Sequence, residues 1–176
     1  IEDWGGEDPS ALSEGTYSVL VSDATGCLAT DIVTINQPDS LSATSSSYDA
    51  ICFGDNTGFA FVMSSGGTFP YTLDWAGADQ YNLYAGTHFV TITDGNGCTL
   101  VEEVVVGQPD DFSVTFDVTD ALCKNSVDGI AIPTIIGGTS PYYPDWLGVN
   151  PNALAAGTYT MNITDAYGCT GTSQVT

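Results

Sequence analysis

Basic residues are almost missing from this sequence. Lys124 is the only lysine and arginine is absent, against 22 acidic residues, for a formal net charge of -21. Nucleic acids are held by Lys and Arg that neutralise phosphates, so this composition excludes DNA and RNA as partners. It also disfavours anionic membrane surfaces. A divalent cation, a basic partner or a neutral glycan stays compatible with it. The plainest use of so much charge of one sign is to keep a long, exposed polymer soluble. No apolar run approaches the ~20 residues that span a bilayer, which argues against direct membrane insertion. No signal peptide is visible, so the chain reads as a mature segment whose targeting signals lie elsewhere.

Histidine is as scarce. His88 stands alone, and without a second histidine there is no Ser-His-Asp arrangement to look for. Glu102 and Glu103 are adjacent; in a strand they point to opposite faces and cannot flank one glycosidic bond. A phosphate-cradling glycine loop is absent too. The expectation is a protein that is not an enzyme.

Apolar residues make up 43% of the chain, too many for disorder, which goes with low hydrophobicity. Tyr, Phe, Val, Ile, Thr and Gly dominate, which is an all-β composition. The chain also repeats itself. Trp4, Trp75 and Trp146 are spaced by 71, and so are Gly15, Gly86 and Gly157, then Asp23, Asp94 and Asp165, then Cys27, Cys98 and Cys169. Cys52 and Cys123, Gly66-Gly67 and Gly137-Gly138, and Gln37-Pro38 and Gln108-Pro109 keep the same step without insertion or deletion. Such a period identifies a tandem array. Residues 39–109 form a complete second unit, 110–176 a nearly complete third, and 1–38 the C-terminal part of a first, as if cut from a longer array.

Each unit reads as about six strands: one opening at Leu41, Phe59 to Met63, Tyr71 to Trp75, a short one near Tyr81 to Leu83, Thr87 to Thr93, and Thr99 to Val106, separated by Gly- and Asp-rich turns. Phe59, Phe61 and Met63 share a face at period two. The fifth strand has a core face of Tyr17, Val19 and Val21, repeated as His88, Val90 and Ile92 and as Tyr159, Met161 and Ile163. His88 therefore fills a tyrosine slot and is not a catalytic base. Short strands at this spacing indicate a β-sandwich of the Ig-like kind, with Trp75 and Trp146 as core anchors.

The phrases Cys-Phe-Gly-Asp-Asn-Thr-Gly at 52–58, Gly-Gly-Thr-Phe-Pro-Tyr at 66–71, Leu-Ala-Ala-Gly-Thr-Tyr at 154–159 and Asp-Ala-Tyr-Gly-Cys at 165–169 stand together. They resemble the SprB-type repeat of Bacteroidetes surface proteins, over essentially the whole chain. The segment Asp79 to Leu83 departs from the pattern, being shorter than the fourth strand of many family copies. The resemblance implies a stretch of a very large cell-surface adhesin, extracellular, exported by type IX secretion and serving attachment or gliding. Neighbouring repeats of the same chain would be its partners, with a surface or glycan ligand. A carbohydrate-binding accessory module of a secreted enzyme is the competing class. Asp39-Ser40-Leu41 resembles the Asp-Ser/Thr-apolar acceptor of Bacteroidetes O-glycosylation, which makes Ser40 a glycosylation candidate.

Five cysteines at a fixed period in a secreted chain suggest disulfides. Within units, Cys52 would join Cys98 and Cys123 would join Cys169. Between units, Cys27 would join Cys52 and Cys98 would join Cys123. Free or metal-binding thiols are the third reading. Six alternating strands bring the turns after strands one and five to the same end, which favours the pairs within units and leaves Cys27 to a partner upstream. No cofactor is expected. For Ca²⁺, which takes several oxygen ligands, the candidates are Asp94 and Asn96 in an Asp-x-x-Gly turn, with Asp74 and Asp79. The competing reading of these residues is structural: Asp capping a tight turn and Gly supplying positive φ.

Overall fold

The computed structural model describes residues 1–176. It is all-β, with no helix and therefore none long and apolar enough to cross a membrane. Thirteen strands build five small antiparallel sheets. β1 (Glu2–Asp3), β2 (Gly15–Ser22) and β3 (Leu28–Ile35) form one sheet. β4 (Ser42–Tyr48) pairs with β5 (Phe59–Ser65), while β6 (Thr72–Asp74), β7 (Gly86–Thr93) and β8 (Thr99–Val106) make a three-stranded sheet. β9 (Ser113–Thr119) with β10 (Ile130–Ile136), and β11 (Tyr143–Asp145), β12 (Tyr159–Thr164) and β13 (Thr170–Val175), repeat that plan. β9, β10, β11 and β13 each begin 71 residues after β4, β5, β6 and β8.

Both sheets of each complete unit feed one hydrophobic cluster. Ala60, Trp75, Leu83, Val90, Ile92, Val104 and Val106 form the first. Ala131, Trp146, Leu154, Met161, Ile163 and Val175 form the second. Alternation along β7 and β12 does this, since side chains in a strand point to opposite faces: Val90, Ile92, Met161 and Ile163 are all fully buried. The tyrosine slot is also plain. Tyr17 Oη donates to Ser13 O at 3.0 Å and Tyr159 Oη to Ala155 O at 2.9 Å. His88 Nε2 lies 2.9 Å from Tyr84 O, and because a carbonyl only accepts, that nitrogen carries the proton.

One expectation changes. Each complete unit has five strands, not six. The segment near Tyr81 to Leu83 contributes only the single bridge Gly58↔Leu83, matched by Gly129↔Leu154. Leu83 is nonetheless 1% exposed, so the segment plugs the core without crossing it as a strand. Phe59, Phe61 and Met63 do share one face of β5, and it is the outer one. Phe61 and Met63 are exposed, and the inward positions are the small Ala60 and the half-buried Val62. Phe59 stacks on Tyr48 with ring centroids 4.4 Å apart.

β4 and β8 are neighbours running the same way. Ser45 Oγ donates to Glu102 Oε1 and Ser47 Oγ to Val105 O, and Ala50 N donates to Gly107 O. Cys52 follows the end of β4, whereas Cys98 precedes the start of β8. They therefore stand at opposite ends of the unit, roughly 25–30 Å apart at ~3.3 Å per strand residue.

Candidate functional site

The chemistry of this chain is concentrated where the second unit meets the third. The upper rim of the second unit is the turn after β4. Asp55 N donates to Cys52 O at 3.2 Å, with Gly54 at φ 73°. Gln108, on the connection to the third unit, accepts Gly54 N through Oε1 at 2.8 Å. Gly107 N donates to Asp49 Oδ1 at 2.9 Å. The connection Gly107-Gln108-Pro109 is thus tied to the rim it leaves, and proline stiffens it further.

The base of the third unit is built as tightly. Gly138 N donates to Asp110 O at 2.8 Å. At Gly137, with φ 82°, a Cβ would lie 2.0 Å from Asp111 O, so only glycine fits. Phe112 lies against Gly138 and Gly171, and Tyr142 Oη donates to Gly137 O at 2.8 Å. Asp165 organises the turn that carries Cys169. Its Oδ1 accepts the amides of Tyr167 and Cys169 at 2.9 Å each, and its Oδ2 that of Thr139 at 2.8 Å. Asp165 is 2% exposed. Burial alone would raise its pKa, but the amides of Thr139, Cys169, Tyr167 and Gly168 outweigh it and hold the carboxyl below the usual carboxylate range.

A disulfide closes rim onto base. Cys52 is bonded to Cys169, with Cα atoms 5.6 Å apart across 117 residues of sequence. Cys169 Sγ also lies 3.5 Å from Ile51 O, a contact and not a hydrogen bond because a disulfide sulfur has no proton. Cys27, Cys98 and Cys123 are free and exposed. This corrects the cysteine expectation on every pair. Neither Cys52–Cys98 and Cys123–Cys169 within units, nor Cys27–Cys52 and Cys98–Cys123 between units, is formed. The missing fourth strand is the reason: with one traverse fewer, β7 and β8 run opposite to the expected sense and the late cysteine moves to the other end of its unit. A cleft of about 350 Å³ remains beside the bridge, walled by Cys52, Phe53, Asp55, Asp110, Asp111 and Phe112 among others.

The other candidate residues fall elsewhere. Asp94 spends its carboxylate on its own turn: Oδ1 on the amides of Asn96 and Cys98, Oδ2 on that of Thr68. Asn96 Nδ2 donates to Thr68 Oγ1. Asp74 Oδ1 accepts Ala76 N, and Asp79 takes Tyr81 N and Asn82 Nδ2. The four calcium candidates thus fall on three turns, only Asp94 and Asn96 sharing one, and nowhere do three or more His, Cys, Asp or Glu side chains converge as a metal site. Ser40 is exposed on the connection into the second unit. Trp75 and Trp146 are core residues, 9% and 8% exposed, and offer no platform to a sugar. Tyr48, stacked on Phe59 beside exposed Phe61, adds to the Phe59–Phe61 face an aromatic partner that the residue pattern of β5 alone does not reveal. Only the register of β4 against β5 could have signalled it, through Tyr48↔Phe59.

A cavity of about 400 Å³ lies among Val118, Leu122, Ile130, Leu154, Tyr159 and Val175. No protein-family model matches the chain, and none of the curated proteins does.

Proposed function

We propose that this chain is a stretch of tandem Ig-like β-sandwich repeats from a secreted bacterial cell-surface protein, in which the repeats make a stiff stalk for attachment or gliding. The observation that carries this reading is the Cys52–Cys169 bridge, which ties one unit covalently to the next. A stalk needs its bending resistance at the joints. Here the joint has a disulfide, a proline-stiffened connection and the Gly54–Gln108 hydrogen bond. The 71-residue period and the SprB-like phrases agree with it, and the net charge of -21 suits a polymer that must stay extended and unaggregated.

Small-angle scattering tests the reading. The oxidised chain is expected to scatter as a rod whose cross-section is one unit wide. A compact or freely jointed profile would overturn it.

One observation favours the second reading, glycan binding. The exposed Tyr48 and Phe61 rings, with half-buried Phe59 stacked on Tyr48 between them, could stack on a sugar face. The third unit does not repeat this surface, having Thr119, Ile130 and Ile132 in those places. Adhesion through it would thus be confined to selected repeats of an array. Retention on polysaccharide columns that is lost in Phe61→Ala would support that role; equal elution of both proteins would exclude it.

A further inference from the structure

We propose that Cys98 and Cys123 are the two halves of repeat-to-repeat disulfides, made with further copies of this unit standing before the second unit and after the third. Cys98 would bond to the early cysteine of a preceding copy, the counterpart of Cys52. Cys123 would bond to the late cysteine of a following copy, the counterpart of Cys169. The inference rests on reading the chain as part of a repeat array.

Cys98 sits in the base of the second unit as Cys169 sits in the base of the third, contact for contact. Gly67 N donates to Asp39 O at 2.7 Å, as Gly138 N does to Asp110 O at 2.8 Å. A Cβ on Gly66 would lie 2.0 Å from Ser40 O, as one on Gly137 would from Asp111 O. The carboxylate of Asp94 gathers the amides of Thr68, Asn96 and Cys98 as that of Asp165 gathers those of Thr139, Tyr167 and Cys169. The cleft here, about 340 Å³, is walled by Pro38, Asp39, Ser40, Leu41, Gly67 and Cys98. Those are the counterparts of Pro109, Asp110, Asp111, Phe112, Gly138 and Cys169, which wall the cleft beside the bonded pair. A base that receives a cysteine turn in one place is thus present, unbonded, in another.

Cys123 repeats the other half. Ser126 N donates to Cys123 O at 3.0 Å, the counterpart of Asp55 N to Cys52 O. Asn125 takes the left-handed conformation of Gly54, at φ 69° against 73°. Leu122, 84% exposed, is the counterpart of Ile51, 48% exposed with the third unit against it. Lys124, the only cation of the chain, replaces Phe53, the residue that faces the cleft walled by Asp110 and Asp111. A cation on this turn is matched in charge to an acidic base of the same kind.

Each bridge forms by oxidation of two thiols. A small-molecule disulfide such as glutathione disulfide accepts the two electrons and two protons and leaves as two thiols, while the S–S bond forms between repeats. Any array built in this register becomes a ladder in which each unit is bonded to both neighbours. Cys27, at the late position of the first unit, would take part in the same way.

Two extended chains test the two ends separately. In one, a copy of residues 39–71 is placed ahead of Ile1, which completes the first unit and adds a counterpart of Cys52. In the other, a copy of residues 106–176 follows Thr176. Both are oxidised with glutathione disulfide, digested without reduction and mapped, and thiols are counted in denaturant. The unextended chain should show the three free thiols of Cys27, Cys98 and Cys123. The first extension should lower that to about two despite the added cysteine, with a linked peptide joining that cysteine to Cys98. Cys98→Ser in this chain should set the added cysteine free again. The second extension should link Cys123 to the added counterpart of Cys169. Finding Cys98 or Cys123 joined to any other cysteine, blocked by glutathione, or free in a folded extended chain would overturn the proposal. Because the readout is a covalent link, it stands apart from the scattering test, and a flexible but correctly bridged chain would sink only the stalk reading.

Discussion

Asp165 holds the backbone of Cys169 by an amide hydrogen bond of 2.9 Å, and the same distance separates its Oδ1 from the amide of Tyr167. The carboxylate thus sets the turn from which the bridging sulfur projects. Asp94 plays the same part for Cys98. Burial opposes ionisation of both, and the backbone amides prevail, so both carboxyls titrate below the usual carboxylate range. A carboxyl whose folded pKa is depressed stabilises the fold at pH values above its unfolded pKa, and this stabilisation is lost as pH falls through the folded value. Melting temperature should accordingly be level near neutrality and fall below about pH 4. Asp165→Asn should flatten that acid limb while lowering stability at pH 7, since its amide NH₂ would face donors. An acid limb unchanged in both Asp94→Asn and Asp165→Asn would show that these turns do not govern it.

Gly137 and Gly148 have nearly the same φ, 82° and 83°. A side chain at Gly148 meets nothing within 4 Å, but one at Gly137 would strike the Asp111 carbonyl. Gly148→Ala should therefore cost only the left-handed penalty, roughly 1–2 kcal/mol. Gly137→Ala should cost clearly more, because the connection into the third unit must shift as well. Urea unfolding of the two variants gives the comparison, and equal losses would mean that the connection yields freely.

Leu83 fills the core from a segment that is scarcely a strand. Its side chain is 1% exposed and packs with Trp75, Val90 and Ile92. Leu83→Ala should lose about 2–5 kcal/mol, while Tyr81→Ala, exposed two residues earlier, should lose little. Loss of under 1 kcal/mol at Leu83 would show that this segment is not pinned to the core.

Much of the fold was legible because alternation leaves a direct trace. The β7 and β12 faces, the tryptophan anchors and the Asp-x-x-Gly turns follow from residue type and a two-residue period. The cysteine partner was not, because it depends on a parity. Tyr81-Asn82-Leu83 alternates like a strand, yet it makes one bridge and no traverse. Miscounting one strand reverses all later ones, so a local ambiguity became a displacement of a whole unit length for Cys98. The common face of Phe59, Phe61 and Met63 was legible from their period, but not that it is the outer one, which is set by the inward side of β5 facing Trp75 with room for residues such as Ala60.

Calcium should not matter to the fold. Both oxygens of Asp94 and both of Asp79 are already engaged by turn donors. A cation would have to displace those donors before it gained ligands. Melting curves with calcium and with chelator should superimpose, and a chelator-induced drop of many degrees would expose a site that the turn geometry does not account for.

The bridge itself should make two units behave as one. In the oxidised chain, the rim of the second unit cannot leave the base of the third without unfolding the turn of Asp55 or that of Asp165. Loop-closure entropy for a closed loop of about 100 residues gives roughly 4–5 kcal/mol of stabilisation. Much of that should appear as coupling and not as strength within either unit, because both hydrophobic clusters lie within their own units. Cys52→Ser is thus expected to leave far-ultraviolet spectra unchanged while splitting a single calorimetric transition into two. Reduction of the unmodified chain should do the same, and reduction of Cys52→Ser should do nothing further. If Cys52→Ser instead kept one sharp transition at an unchanged temperature, the hydrogen-bonded connection through Gln108 would be coupling the units by itself, and the disulfide would be dispensable to the joint.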